Sequence, residues 1–267
     1  MQANPRLTIL TLMFAIPFVQ ATPQEQSRES MAVDATASQW SFQLAYEGAF
    51  DYRTDNNRPE GNKGFVQFRL VAPIPADESF PITLLPRLTL RMIENASGDR
   101  GFGSSDIFIL GIAQQWSTGR WGIGPQINFP AAAGFGNTNW GYGLAAAITE
   151  RAFNDKFFFA LLLQQTWSKN TAGTTRATPL GINPVIVYQL GGGYYLSNGD
   201  FVMQYNWDDG SWFVPLLLRV GKAWIGSRST WNAYVEYGTS VIYESWTGPV
   251  ATHILRVNVQ YQLPVGL

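Results

Sequence analysis

The residues best able to do chemistry in this chain are charged side chains at even spacing. Glu47 and Asp51 stand four positions apart, as do Arg87 and Arg91, and Arg69, Arg219, Glu236 and Arg256 each lie between apolar neighbours. On a β-strand, even spacing places side chains on one face. Opposite charges facing one another inside a pore orient polar or anionic solutes and set ion selectivity. The same pairs also fill and rigidify a narrow barrel, because charges there need partners.

Two other groupings suggest different chemistry. His253, the single histidine, would serve a lipid hydrolase as general base if a Ser nucleophile and an orienting group lay beside it. Its same-face neighbours Ala251 and Leu255 supply neither, so an interfacial role is expected. Asp208-Asp209-Gly210 resembles a fragment of a calcium loop but lacks the other oxygen ligands, and reads as a hairpin turn.

Composition narrows the classes further. Charged residues make up 14% of the 267 positions, and Gly (26) outnumbers Lys and Arg together (18), which suits a large uncharged surface with many tight turns. A net charge of −1 without a basic cluster argues against a nucleic-acid partner. The absence of Cys removes disulfides, thiolate nucleophiles and Cys-based zinc sites, and one His makes a histidine metal site improbable. No cofactor is expected.

The elements that must position the charges are strands. Residues 1–21 read as a signal peptide, with one early positive charge, an apolar run from Leu7 to Val19, and Val19-Gln20-Ala21 at the cleavage site. Residues 22–38 are polar and read as a flexible or loosely docked periplasmic segment. From residue 39 the period becomes two: Trp40, Phe42, Leu44, Tyr46, Phe50 and Tyr52 alternate with Ser41, Gln43, Glu47, Asp51 and Arg53. The hairpin at residues 107–129 has arms of membrane-crossing length around a turn at 117–119. Similar segments are predicted near 64–74, 81–93, 139–150, 156–168, 179–190, 193–207, 211–223, 229–239 and 251–263. This gives an all-β chain, a transmembrane antiparallel up-and-down barrel of about twelve strands over residues 39–267.

A lipocalin-like soluble barrel alternates in the same way, but two patterns favour the membrane. With a periplasmic N-terminus, the outer connections (54–63, 94–105, 131–138, 169–178, 208–210 and 240–250) are mostly longer than the inner ones. Trp40, Trp116, Trp121, Trp224 and Trp231 fall at inner strand ends, and Trp140, Trp167, Trp207 and Trp212 at outer ends, as two aromatic belts. Trp246 falls in a loop.

With the apolar face on lipid, the lumen receives Glu47, Asp51, Gln67, Arg69, Arg87, Arg91, Arg219, Asn232, Glu236, Arg256, Asn258, Gln260 and Gln262. Pairing of first and last strands would place Glu47 and Asp51 between Arg69 and Arg256. Gly122, Gly124, Gly141, Gly143, Ala145 and Ala147 leave space for a solute path, or for a loop or the N-terminal segment. Pro125 and Pro184 sit mid-strand and predict a bulge or an unpaired donor position at each.

An ordered set of segments carries a family resemblance: WGIGPQINFPAAA (121–133), LLLQQTWS (161–168), INPVIVYQLGGGYYLS (182–197), Asn206-Trp207 and FVPLLLRVGKAW (213–224). Together they resemble the outer-membrane protein family named after the meta-pathway of phenol degradation. Three features depart from the family pattern: GFGSSDI (101–107) is longer before the fourth strand, Pro130-Ala131 replaces Pro-Thr, and Leu267 ends the chain in place of an aromatic. The resemblance implies an outer-membrane transporter for small organic molecules, aromatic ones included. The expected function is passive or facilitated passage of such solutes across a Gram-negative outer membrane, without enzymatic chemistry. Outer-membrane lipids and the barrel-assembly machinery are the expected partners. Alternatives are a structural or surface-interaction barrel with a closed lumen and a lipid-modifying enzyme.

Overall fold

Residues 26–169 and 173–265 are described by the computed structural model. The predicted signal peptide lies outside them. A short helix α1 (Arg28–Val33) precedes β1 (Gln39–Tyr52), β2 (Gly64–Val71), β3 (Leu84–Glu94), β4 (Arg100–Phe102), β5 (Ser105–Gln115), β6 (Gly119–Phe129) and β7 (Gly141–Ala152). There follow β8 (Phe157–Lys169), β9 (Thr175–Ala177), β10 (Leu180–Gly191), β11 (Tyr194–Ser197), β12 (Met203–Tyr205), β13 (Trp212–Ile225), β14 (Thr230–Ile242) and β15 (Ala251–Pro264).

Every neighbouring pair is antiparallel, and β1 pairs β15 from Gln39↔Pro264 to Tyr52↔Ala251, so the sheet closes on itself. β4 with β5, β9 with β10, and β11 with β12 are each one passage across the wall with a local break. The ring therefore has twelve passages. Gln39 and Pro264 pair, so the strands that begin and end the ring meet at the same end of it.

The faces are sorted inside out. Phe42, Leu44, Tyr46, Leu216, Leu218, Val220, Leu255, Val257 and Val259 are exposed, while Gln67, Thr89, Glu236, Asn258 and Gln262 are buried. An apolar band of that extent facing water would be a severe liability, whereas hydrocarbon suits it. Outward apolar and inward polar residues thus separate this barrel from a lipocalin-like one.

One stretch departs from simple alternation. Ile107-Phe108-Ile109-Leu110 is apolar at every position, and Phe108 and Leu110 turn into the lumen, where they cluster with Leu85 and Ala145. The inner wall is therefore apolar along a portion of β3 and β5 and charged along β1, β2 and β13 to β15.

The prolines mark irregularities. Between β5 and β6, pairing runs from Phe108↔Gln126 to Gly111↔Ile123 and skips the positions opposite Pro125, as expected for a missing donor. Pro184 has a larger effect. The neighbouring passage splits into β11 and β12 beside it, and on the other flank Pro215 of β13 lies opposite the same gap. Asn198 replaces ladder bonds there: its Oδ1 accepts from Ile186 N at 2.8 Å and its Nδ2 donates to Pro184 O at 2.9 Å. Residues 198–202 leave the wall, with Gly199 at φ +82° making the turn.

Candidate functional site in the barrel lumen

The lumen is divided into two chambers. The one nearer the chain ends is lined by Leu85, Phe108, Leu110, Leu162 and Tyr234, with the N-terminal segment as its floor. The other is lined by Glu47, Tyr52, Gln67, Arg91, Phe201 and Arg256. Arg69, Arg87, Asn183 and Asp200 line both, and so form the waist between them.

Asp200 holds the waist together. The inward excursion of residues 198–202 carries its carboxylate to Arg69 Nη1 (3.1 Å), to Arg256 Nη2 (3.4 Å) and to the Nδ2 of Asn183 (2.9 Å). Its backbone N–H donates to Glu236 Oε1 at 3.1 Å. Strands from opposite sides of the ring are tied to one carboxylate. Neither Asp200 nor Asn183 was among the expected lumen residues. The Asn198-Gly199 pair is a turn signal, but it points inward only because Pro184 and Pro215 lie on its two flanks.

The expected site residues fall as follows. Glu47 accepts from Arg256 Nη1 at 3.2 Å. Arg69 lies opposite Gln43, not Glu47, and bonds its Oε1 at 3.2 Å, because the β1–β2 register sets Glu47 against Phe65. Arg219 donates from both Nε and Nη2 to one oxygen, Oε1, of buried Glu236, and its guanidinium carbon lies over the Tyr234 ring at 3.8 Å. Arg91 donates to Gln67 Oε1 (3.1 Å) and Ser104 O (2.8 Å), with Asp106 at 3.7 Å. Arg87 stacks over the Phe108 ring at 4.1 Å.

Asp51 does not join this ladder. Its φ of +54° breaks the alternation, so Asp51 is exposed and Tyr52 turns inward against the Phe201, Leu217, Ala251 and Ile254 cluster. The expected open space beside the small residues of β6 and β7 also differs. A Cβ on Gly124 would lie 1.7 Å from Ile109 O, and one on Gly143 1.9 Å from Gln165 O. These glycines admit close strand approach, and Phe108, Leu110 and Leu162 pack beside Ala145 and Ala147 and narrow the space there.

Residues 26–38, expected to be loosely held, are docked inside the terminal mouth. Ser27 caps α1 by accepting from Ser30 N, and Ser30, Ala32, Asp34 and Ala37 are buried. Asn232 and Gln262 both donate to Ala32 O (3.2 and 3.0 Å), and Arg120 bonds Thr36 O, Gln26 Oε1 and Asp34 Oδ2 (2.9, 2.9 and 3.3 Å). Arg28 donates to Gly226 O and Thr230 Oγ1, and Glu29 Oε1 accepts from Gly193 N at 3.0 Å. The segment thus spans the mouth from β6 to β15.

The tryptophans stand at two levels. Trp40, Trp121, Trp224 and Trp231 are exposed at the terminal end, with Trp224 directly opposite Trp231, while Trp116 is half-buried and donates to Glu150 at 2.7 Å. Trp140, Trp167, Trp207 and Trp212 are exposed at the far end, where Trp207 donates to Gln165 at 2.7 Å. Trp246 packs against Phe213 in a loop. His253 faces outward, and its Nδ1 meets the Tyr237 hydroxyl at 2.7 Å, so the hydroxyl beside the imidazole is a phenol and not a serine. Around Asp208, the bonds Gly210 N to Asn206 O and Ser211 N to Asp209 Oδ1, both 2.9 Å, build a turn.

No protein-family model and no curated protein matches the chain, so the resemblance to the phenol-degradation family has no matching model behind it. Solved structures do match. An outer-membrane channel from Pseudomonas putida F1 aligns with a TM-score of 0.59 at 14% identity, over 85% of this chain and 95% of that one. The NanC porin aligns at 0.50 and 8% identity, over 84% and 100% of the two chains. The KdgM porin aligns at 0.47 and 14% identity, over 83% and 98%. At such identities the first two likenesses establish the fold, a closed twelve-stranded antiparallel barrel of the outer-membrane channel type.

Proposed function

We propose that this protein is a channel of the bacterial outer membrane for the passive or facilitated passage of small organic solutes, aromatic ones included. The observation that carries the reading is the polar waist: Arg69, Arg87, Asn183 and Asp200, the last brought inward by residues 198–202, divide the lumen into its two cavities, where a purely structural barrel of this width would be filled by packed residues. Selectivity then rests on Glu47, Arg69, Arg87, Arg91, Arg219, Glu236 and Arg256. The exposed apolar band meets outer-membrane lipid, and the unpaired edges of the chain before closure call for the barrel-assembly machinery.

A barrel with a closed lumen is the second reading, and the docked segment 26–38 favours it. Planar bilayers separate the two. Discrete conductance from the mature chain supports the channel. Absence of conductance, and of solute uptake by liposomes, from both the mature chain and a chain lacking residues 22–38 would overturn it. A lipid-modifying activity finds little support in a His253 whose bonded hydroxyl belongs to Tyr237.

A further inference from the structure

Five arginines meet four carboxylates in the middle of the lumen. Asp200 serves Arg69 and Arg256, Glu47 serves Arg256, Glu236 serves Arg219, and Asp106 lies nearest Arg91. Arg87 is the fifth. Among the described residues its guanidinium has no ion-pair or side-chain hydrogen-bond partner, and its Nε is buried and unbonded. A cation held away from bulk water calls for a counter-charge or for polar partners. Arg69 stands nearby and is already neutralised by Asp200, so the surplus positive charge of the waist belongs to Arg87.

The surroundings define what kind of anion fits. The guanidinium carbon lies over the Phe108 ring at 4.1 Å, and among the described residues no protein acceptor takes up the guanidinium's forked donors. Below it lies a chamber of about 130 Å³, with Leu85, Phe108, Leu110 and Leu162 as an apolar wall and Gln43, Asn232 and the N-terminal segment on its other sides. A dry apolar cavity of about 150 Å³ accepts benzene. An unpaired cation above a ring-sized chamber with an apolar wall is complementary to a molecule with a carboxylate at one end and a single ring, laid on that wall, at the other.

We propose that Arg87, with Leu85, Phe108, Leu110 and Leu162, forms a binding site for a small monocyclic carboxylate at the waist of the lumen. The site deepens the channel reading and rests on it for its role in passage, but its occupancy is measured separately. Arg87 supplies the forked donor for the carboxylate, and the leucines and Phe108 take the ring. Inorganic anions lack the second half of that recognition, and neutral rings lack the first.

Benzoate is the probe. It is titrated calorimetrically into the whole mature protein in detergent at constant salt, with acetate, chloride and benzyl alcohol as comparators. Benzoate is expected to bind more tightly than acetate, chloride or benzyl alcohol. Arg87→Gln should weaken benzoate by about tenfold or more while leaving benzyl alcohol unchanged. Phe108→Ala should narrow the gap between benzoate and acetate. Arg87→Lys, with its charge retained, controls for folding and should recover some of the affinity. Benzoate binding that ignores Arg87→Gln, or acetate and chloride binding as tightly as benzoate, would overturn the site. Conductance with no benzoate binding refutes the site and leaves the channel standing. Arg87-dependent binding with neither conductance nor flux supports the site and refutes the channel.

Discussion

Asp200 and Arg69 approach to 3.1 Å across the lumen, although the passages that carry them are not neighbours in the ring. The pair is a strut. Asp200→Asn should remove the attraction that holds residues 198–202 over the pore, raise single-channel conductance, and leave Arg69 and Arg256 short of a counter-charge. Loss of one partner of a buried pair costs about 3–5 kcal/mol; the lower end is expected, since Arg256 keeps Glu47 and Arg69 keeps Gln43. Urea unfolding in detergent, together with bilayer recording, checks both effects.

Removal of residues 22–38 should open the terminal mouth. The hydrogen bonds from Arg120, Asn232 and Gln262 to this segment end on its backbone and polar side chains, so the wall strands should survive its loss. Larger conductance with unchanged heat-modifiable gel mobility is the expected pair of results.

Arg87→Ala combined with Arg91→Ala should shift ion selectivity toward cations, because two of the five central arginines disappear while all four carboxylates stay. Reversal potential under a KCl gradient measures the shift, and an unaltered potential would mean that the remaining pairs set selectivity.

Gly199→Val should disturb the inward turn. A left-handed conformation costs a non-glycine residue roughly 1–2 kcal/mol, and the added Cβ would lie 2.7 Å from Leu217 Cβ. The variant should unfold at lower urea and conduct with more open-state noise than the native protein.

Leu218 is 60% exposed at the middle of β13. Leu218→Arg should cost about 2–4 kcal/mol if the band lies in hydrocarbon at that depth, and folding into lipid vesicles from urea reads this directly. A neutral effect would mean that the band is not in the membrane.

Much of this was legible along the chain because strands alternate. Ser41, Gln43, Ala45 and Glu47 could be assigned to one face from β1 alone, and the strand positions follow closely from the same rhythm. The rhythm fails where it carries no information, as in Ile107-Phe108-Ile109-Leu110, whose faces are equally apolar. It also fails where the backbone itself reverses, as at Asp51. The waist was hidden for a different reason. Asp200 reaches its partners only because Pro184 and Pro215 come to flank one segment, and that adjacency exists only in the closed ring. The docking of α1 was equally hidden, since its bonds join the Ala32 carbonyl and the Arg28 and Glu29 side chains to wall groups, Asn232, Gln262, Gly226 O and Gly193 N, that meet only in the closed ring.

The seam between β1 and β15 sets the timing of the molecule's birth. It joins residues such as Glu47 and Arg256, 209 positions apart, so no strand-paired ring exists until the last strand has been delivered. Contacts of such long range form slowly. Because residues 26–38 immediately precede β1, the segment that stoppers the mouth arrives first and waits longest. The ring therefore closes around a segment that is already present, and the docked residues 26–38 need not be threaded into a finished pore.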